Sequence, residues 1–320
     1  MPDGLLIVDK PAGPTSHDVV ARLRRVLRET RIGHTGTLDP LATGVLLLVV
    51  GKATRLAKFL SASGKSYDAA IRFGFATDTA DSQGRPLGAV SERPLPSRDE
   101  IEAALDAFRG TFMQQPPAFS AKKIEGQRSY TLARNARANV APRTEHPAPR
   151  TPHAAPLPAP CSVTAHAIRI VSVDGDQVTL TVDCSAGFYV RSLAHDLGER
   201  LGVGAHLTAL RRTRTGDFTL ERAITLDTAE RDPQAALAAL VPLTGALPGL
   251  PALVLTPEGA ARVSHGQDIR PDDHEPSAVD QEPSALSPQP FVQLLSPAGE
   301  LLAIAEPVAG GLLHPSVVLV

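Results

Sequence analysis

The sequence predicts an α+β fold with a mixed, largely antiparallel sheet and flanking helices, followed by a small all-β domain. Helical and strand periods mix along its 320 residues without the repeating βαβ rhythm of a parallel sheet. Apolar–polar alternation marks half-buried strands at Tyr67–Gly74, and Val163–Val173 with Val178–Val182 reads as a hairpin across Asp174-Gly175-Asp176. Near the C-terminus, Phe291–Leu295 and Leu301–Ala305 flank Pro297-Ala298-Gly299-Glu300 as a second hairpin.

In chain order, Leu5–Val8 is a short apolar run that Lys10-Pro11-Ala12-Gly13-Pro14 must end, because proline lacks the N–H that a strand or helix would use. A strand entering a loop is expected. Ser16 then stands as an N-cap, and Val19, Val20, Leu23, Val26 and Leu27 recur at helical spacing opposite Arg22, Arg24, Arg25 and Arg28. The outer face of that helix is strongly basic. Val45–Val50 is uniformly apolar, Asp78–Gly84 is rich in turn formers, and Ile101, Ala104, Leu105 and Phe108 again have helical spacing. Tyr189 and Arg191, two residues apart, would share one face of an extended strand. Val190, Leu193, Ala194, Leu197 and Leu201 take up a helical period, so a strand is expected to run into a helix there.

Residues 139–160 carry seven prolines, and residues 271–290 carry five prolines and five acids with no base. Both are expected to be mobile surface insertions, too proline-rich or too charged to pack. Pro242, Pro248 and Pro251 mark a boundary, giving a larger domain over 1–245 and a smaller one over 250–320.

The composition, 42% hydrophobic and 21% charged, is that of an ordinary globular chain. The net charge of −2 hides an asymmetry: residues 1–220 hold 28 Lys+Arg against 21 Asp+Glu, whereas residues 221–320 hold 4 against 13. The larger part can attract a polyanion and the tail cannot do so through bulk charge. Cys161 and Cys184 are too few for a disulfide framework or a zinc site, and no stretch approaches a membrane span. The N-terminal apolar run, short and soon interrupted by charge, does not read as a signal peptide. A cytoplasmic protein with free thiols and no structural metal is expected. A phosphate-binding P-loop is excluded, because six residues rather than four separate Gly44 from Gly51-Lys52, and Ala53 follows.

Thr35-Gly36-Thr37-Leu38-Asp39-Pro40-Leu41-Ala42-Thr43-Gly44 gathers small residues around one acid. Its glycines permit close backbone approach, and Pro40 holds Asp39 in an extended or turn conformation at a loop tip. From the residues alone an Asp-Pro in a loop is more often a plain turn than a functional carboxylate. Arg191, likewise, could pair on the surface with Asp196 or Glu199.

Five segments decide between these readings. Gly4-Leu5-Leu6-Ile7-Val8-Asp9-Lys10-Pro11, Gly33 through Leu46, Pro116-Pro117-Ala118-Phe119-Ser120-Ala121-Lys122-Lys123, Gly187-Phe188-Tyr189-Val190-Arg191-Ser192-Leu193 and Leu210-Arg211-Arg212-Thr213 follow one another in the order found in the bacterial TruB family of tRNA pseudouridine synthases, which the chain resembles over most of residues 4–220. Beyond residue 240 the likeness is weaker, and the closing hairpin with His314-Pro315-Ser316-Val317-Val318 resembles a divergent PUA-type RNA-binding domain. The two proline-rich insertions depart from the family pattern.

The resemblance implies a pseudouridine synthase core and isomerisation of a tRNA T-loop uridine, conventionally numbered 55, by a cytoplasmic monomer that needs no cofactor and no metal. It assigns Asp39 as the catalytic carboxylate and Arg191 as the cation beside it. It makes Tyr67 the ring that stacks on the flipped base and takes part in proton transfer, Tyr189 and the Leu210 backbone further uracil contacts, and His34 the histidine set against the RNA. Lys10 is expected to support structure, and Asp81 either to orient the site or to serve a turn. Three alternatives remain at this stage: a non-catalytic RNA-folding protein, a hydrolase acting on a nucleoside, and a related synthase with another RNA target, since phosphate contacts position without specifying sequence.

Overall fold

The structure is a computed structural model that describes residues 3–120, 122–124, 126–138, 157–274 and 291–320. The insertions expected at 139–160 and 271–290 lie outside the described residues except for 157–160 and 271–274. The strands are β1 (Gly4–Lys10), β2 (Ile32–His34), β3 (Thr43–Val50), β4 (Lys65–Phe73), β5 (Ala76–Thr77), β6 (Pro86–Leu87), β7 (Gly110–Gln114), β8 (Lys123–Ile124), β9 (Gln127–Arg128), β10 (Cys161–Asp174), β11 (Gln177–Cys184), β12 (Ala205–Thr215), β13 (Phe218–Thr219), β14 (Ile224–Thr225), β15 (Ala252–Val254), β16 (Val292–Leu295), β17 (Leu301–Val308) and β18 (Leu312–Val318). The helices are α1 (Ser16–Leu27), α2 (Ala57–Ser61), α3 (Arg98–Leu105), α4 (Ser129–Ala138), α5 (Val190–Leu201), α6 (Leu226–Arg231), α7 (Pro233–Ala238) and α8 (Pro257–Ser264).

Packing divides the chain into two compact units that do not follow its linear order: residues 1–36, 45–62 and 217–320, and residues 37–44 and 63–216. In the first unit β1 lies between β14 and β3, parallel to β14, and β2 pairs antiparallel with β3. Its second sheet, β15-β16-β17-β18, is parallel at its first pairing and antiparallel at the others, and α8 accompanies these strands. Leu301, Ile304 and Leu319 of this C-terminal part join Leu5, Ile7, Val45 and Leu47 in one core. Three buried aliphatic side chains, at roughly 1.5–3 kcal/mol each, make the C-terminal part a contributor to the stability of the N-terminal strands.

Helix α1 starts one residue earlier than its sequence suggests. Thr15, not Ser16, is the N-cap: its hydroxyl accepts from the Asp18 N–H while the Asp18 carboxylate accepts from the Thr15 N–H, a reciprocal capping box. Val19, Val20, Leu23 and Leu27 are buried as the period requires, and Arg25 and Arg28 are exposed.

In the second unit, the Thr43–Gly44 end of β3 pairs parallel with β12, and β12-β4-β11-β10-β7 continue as an antiparallel sheet. The alternation read at Tyr67–Gly74 is visible as Tyr67, Ala69, Ile71 and Phe73 buried on one face. The hairpin expected across Asp174–Asp176 is β10–β11, closed by the Asp174–Gln177 pair. Leu193, Ala194 and Leu197 of α5 are fully buried, and the helix packs on β12 and α3. Gly44 has φ +99°, and a Cβ there would stand 2.2 Å from the Arg212 carbonyl oxygen. Only glycine lets β3 approach β12 this closely.

Candidate active site

The loop between β2 and β3 carries Asp39 on a tight turn, closed by the Ala42 N–H donating to the Asp39 carbonyl at 3.0 Å. Pro40 at the second position suits its fixed φ. The turn reading of Asp39-Pro40 therefore holds for the backbone, and the side chain has a different task.

That side chain is held by Arg191. Its Nε lies 2.9 Å from Asp39 Oδ2 and its Nη2 donates to Asp39 Oδ1 at 3.2 Å, a forked, two-point grip. Nη1 donates to the Thr79 carbonyl at 3.1 Å, Nη2 also to the Phe119 carbonyl at 2.8 Å, and Asp81 Oδ2 stands 3.8 Å from Nε. The Arg191 side chain is 5% exposed, Asp81 7% and Asp39 33%. One carboxylate of the cluster thus opens to solvent while its cation is buried, and burial is tolerable because each nitrogen of the guanidinium meets an acceptor.

Arg191 does not sit on a strand. Strand β11 ends at Cys184, Tyr189 is the N-cap of α5, and Arg191 lies in that helix's first turn. The expected strand face shared by Tyr189 and Arg191 is corrected to a helix start, because the apolar period of Val190, Leu193, Ala194 and Leu197 reaches back to include them. The surface pairing of Arg191 with Asp196 or Glu199 is also set aside, since its buried guanidinium is engaged by Asp39, Asp81, Thr79 and Phe119. Asp81 combines both readings: its Oδ1 accepts from the Thr79 hydroxyl at 2.6 Å and the Gln83 N–H at 3.0 Å within a turn, and its Oδ2 faces Arg191.

Tyr67 is 7% exposed on β4, and Arg212 of β12 lies directly opposite it in the strand register, 1% exposed. Burial raises the Tyr67 phenol above its ordinary range, and the Arg212 guanidinium, hydrogen-bonded to it, opposes that rise. Leu210 precedes Arg212 by two residues on the same face, and its carbonyl accepts weakly from the Thr43 hydroxyl at 3.5 Å. Tyr189 is half-buried, and its phenol is likewise raised by burial, with the Ser120 hydroxyl and Arg191 acting against it. Asp39, Tyr67, Arg191, Tyr189 and Leu210 all belong to the second unit. His34 belongs to the first, where its ring meets His17 edge-on at 5.2 Å between centroids. Lys10, buried, donates to the carbonyls of Pro11 and Pro14 at 2.8 Å each, which clamps the loop after β1 as expected of a supporting residue.

Two buried cations near Tyr67 were not singled out from the sequence. Arg212 betrays itself only as a charged residue at an inward position of a strand. Lys65, two residues before Tyr67 and so on the same face, is 7% exposed. Loss of hydration, with Arg212 close by, pushes its ammonium down to about 8 from 10.5. The unfolded chain then holds more protons between those values, so this residue's contribution to stability rises with pH from about 8 towards 10.5. Thermal unfolding of wild type and Lys65→Met is expected to show wild type gaining on the variant over that window, by up to about 3 kcal/mol. A constant difference would refute the buried, shifted ammonium.

Among the described residues no group of three or more His, Cys, Asp or Glu could hold a metal ion, and no helix is long and apolar enough to cross a membrane.

Comparison with known proteins places this geometry in a family. A family model described as TruB family pseudouridylate synthase (N terminal domain) matches residues 24–147, and one described as tRNA pseudouridylate synthase B C-terminal domain matches residues 191–244. The tRNA pseudouridine synthase B of Solibacter usitatus is 40% identical over 325 residues, covering 99% of this chain and 100% of that protein. That of Thermobifida fusca is 42% identical over 321 residues, covering 97% and 96%. Among solved structures, a Cbf5–Nop10–Gar1 complex aligns with a TM-score of 0.68 at 26% identity, covering 100% of this chain and 85% of the matched one. A second, an H/ACA RNP bound to a substrate RNA containing 2′-deoxyuridine, aligns with a TM-score of 0.68 at 24% identity over 99% and 85%, and speaks for the fold alone. With identity of 40% and above sustained along nearly the whole of both sequences, the chain belongs to the TruB family of pseudouridine synthases.

Proposed function

We propose that this chain converts a uridine in the T-loop of tRNA, position 55, to pseudouridine, with Asp39 as the catalytic carboxylate. The observation that carries the reading is the two-point grip of the buried Arg191 on a partly exposed Asp39. The reaction breaks the bond from C1′ to N1 and rejoins the same uracil through C5, so atoms and oxidation state balance without a cofactor. It requires a carboxylate at the sugar, ionised and fixed in one rotamer, to meet the electron-poor anomeric carbon or to remove a sugar proton. A planar guanidinium supplies the fixation.

A uridine inside folded RNA must first leave the stack, at a cost of a few kcal/mol. Stacking on an aromatic ring returns roughly 1–3 kcal/mol per base. Tyr67 serves this purpose in the proposal and takes part in proton transfer, with Tyr189, the Leu210 backbone and His34 as further contacts to the RNA. The enzyme acts as a cytoplasmic monomer on the T-arm. Residues 1–245 form its catalytic part and residues 250–320 a PUA-like RNA-binding part. Because Leu301, Ile304 and Leu319 belong to the core around β1 and β3, point substitutions test the C-terminal part better than truncation does.

The test is to incubate unmodified tRNA transcript with the protein and quantify pseudouridine by position after digestion. Pseudouridine at the T-loop uridine is the expected result. Free uracil would reveal a hydrolase, and tight binding without product would reveal an RNA-folding protein.

The exposed arginines of α1 and of its C-cap, Arg28, supply phosphate contacts in this reading. Arg25→Ala and Arg28→Ala are each expected to weaken tRNA binding without sequence preference and to reduce the slope of log affinity against log salt by about 1. An unchanged slope would remove this helix from the interface.

A further inference from the structure

We infer that Gln114 is a positioning residue for the catalytic site, its side-chain amide pinning the backbone of the residue that starts α5; this rests on the function proposed above. The helix that carries Arg191 begins without a side-chain cap, because Tyr189 at the N-cap makes no such bond. In its place the amide of Gln114, at the end of β7, grips the Tyr189 backbone twice. Its Oε1 accepts from the Tyr189 N–H at 2.8 Å and its Nε2 donates to the Tyr189 carbonyl at 3.0 Å. Gln114 is 1% exposed, so water does not compete for either bond.

Two flanking bonds extend the contact: the Ser192 hydroxyl donates to the Gln115 carbonyl at 2.7 Å, and Arg191 Nη2 donates to the Phe119 carbonyl at 2.8 Å. Gln114–Phe119 is thus the seat of the helix start. Fixing the backbone of Tyr189 on both sides of its Cα sets the direction in which its ring leaves the chain. It also sets the origin of the Arg191 side chain two residues on, and hence the position of Asp39 at the far end of the guanidinium. Both bonds of the Gln114 amide go to the backbone of Tyr189, so its influence on Arg191 and Asp39 passes through that main chain.

The experiment uses the full chain and unmodified tRNA transcript, with single-turnover rate and half-saturating enzyme concentration measured separately below the unfolding temperature of each variant. Gln114→Met keeps the side-chain volume and removes both bonds. Gln114→Asn keeps the amide but is one methylene too short to reach both backbone groups, and it carries the test if the methionine variant does not fold.

The saturated rate of either Gln114 variant is expected to fall by about 10- to 100-fold, the scale of a displacement near 1 Å in a catalytic group. Half-saturation should stay within about twofold of wild type. A wild-type rate in a folded Gln114 variant overturns the inference, as does a loss confined to half-saturation. If wild type itself makes no pseudouridine, the proposed function falls instead.

Discussion

Asp39→Asn is expected to abolish pseudouridine formation, by at least about 10⁴-fold in the single-turnover rate, while tRNA binding persists. The substitution is isosteric, removing the charge and turning one acceptor oxygen into an NH2 donor, and the turn closed by the backbones of Ala42 and Asp39 is kept. It also leaves the buried Arg191 with less compensation, and removal of one partner from a buried pair can cost about 3–5 kcal/mol. Here the cost should be smaller, because Asp81 remains 3.8 Å from Nε and the carbonyls of Thr79 and Phe119 still accept. A folded variant that binds tRNA and makes no product is therefore the outcome to look for, with pseudouridine quantified after digestion. Retained turnover would mean that the reacting carboxylate is elsewhere.

Arg191→Lys is expected to lower turnover about 100-fold with the protein still folded. An ammonium preserves the charge opposite Asp39 and Asp81. It cannot reproduce a plane in which Nε and Nη2 meet both oxygens of Asp39 while Nη1 and Nη2 meet Thr79 and Phe119. The carboxylate would keep a counter-charge and lose its fixed rotamer. Near-normal turnover, measured alongside a melting curve to establish folding, would sink the pairing as a catalytic requirement.

Both substitutions probe an ion pair that joins residues 152 apart in the chain, and this separation explains what was legible beforehand. The bury-every-second-residue pattern of β4, the apolar run of β3, the hairpin β10–β11 and the stripe of α1 are local periodicities, so the sequence by itself determined them. It also determined, through five motifs in family order, that Asp39 and Arg191 were the residues to watch. It misjudged the backbone under Arg191, since a charged residue two positions from a tyrosine suits a strand face and a helix start equally well. The N-cap of α1 slipped by one because Thr15 and Ser16 are both good caps, and only the reciprocal bond with Asp18 separates them.

Tertiary structure alone decided that Arg212 and Lys65 are buried beside Tyr67 and what surrounds Arg191 besides Asp39. Arg191, Arg212 and Lys65 look like surface residues in a one-dimensional pattern, yet each is less than about a tenth exposed. Nothing local requires Gln114 to meet Tyr189, 75 residues away, or the C-terminal Leu301, Ile304 and Leu319 to complete the core around β1. The physical reason is the range of the forces involved. Backbone periodicity and capping act over a few residues and are written in neighbouring letters, whereas desolvation and the pairing of buried charge depend on which segments the fold brings together.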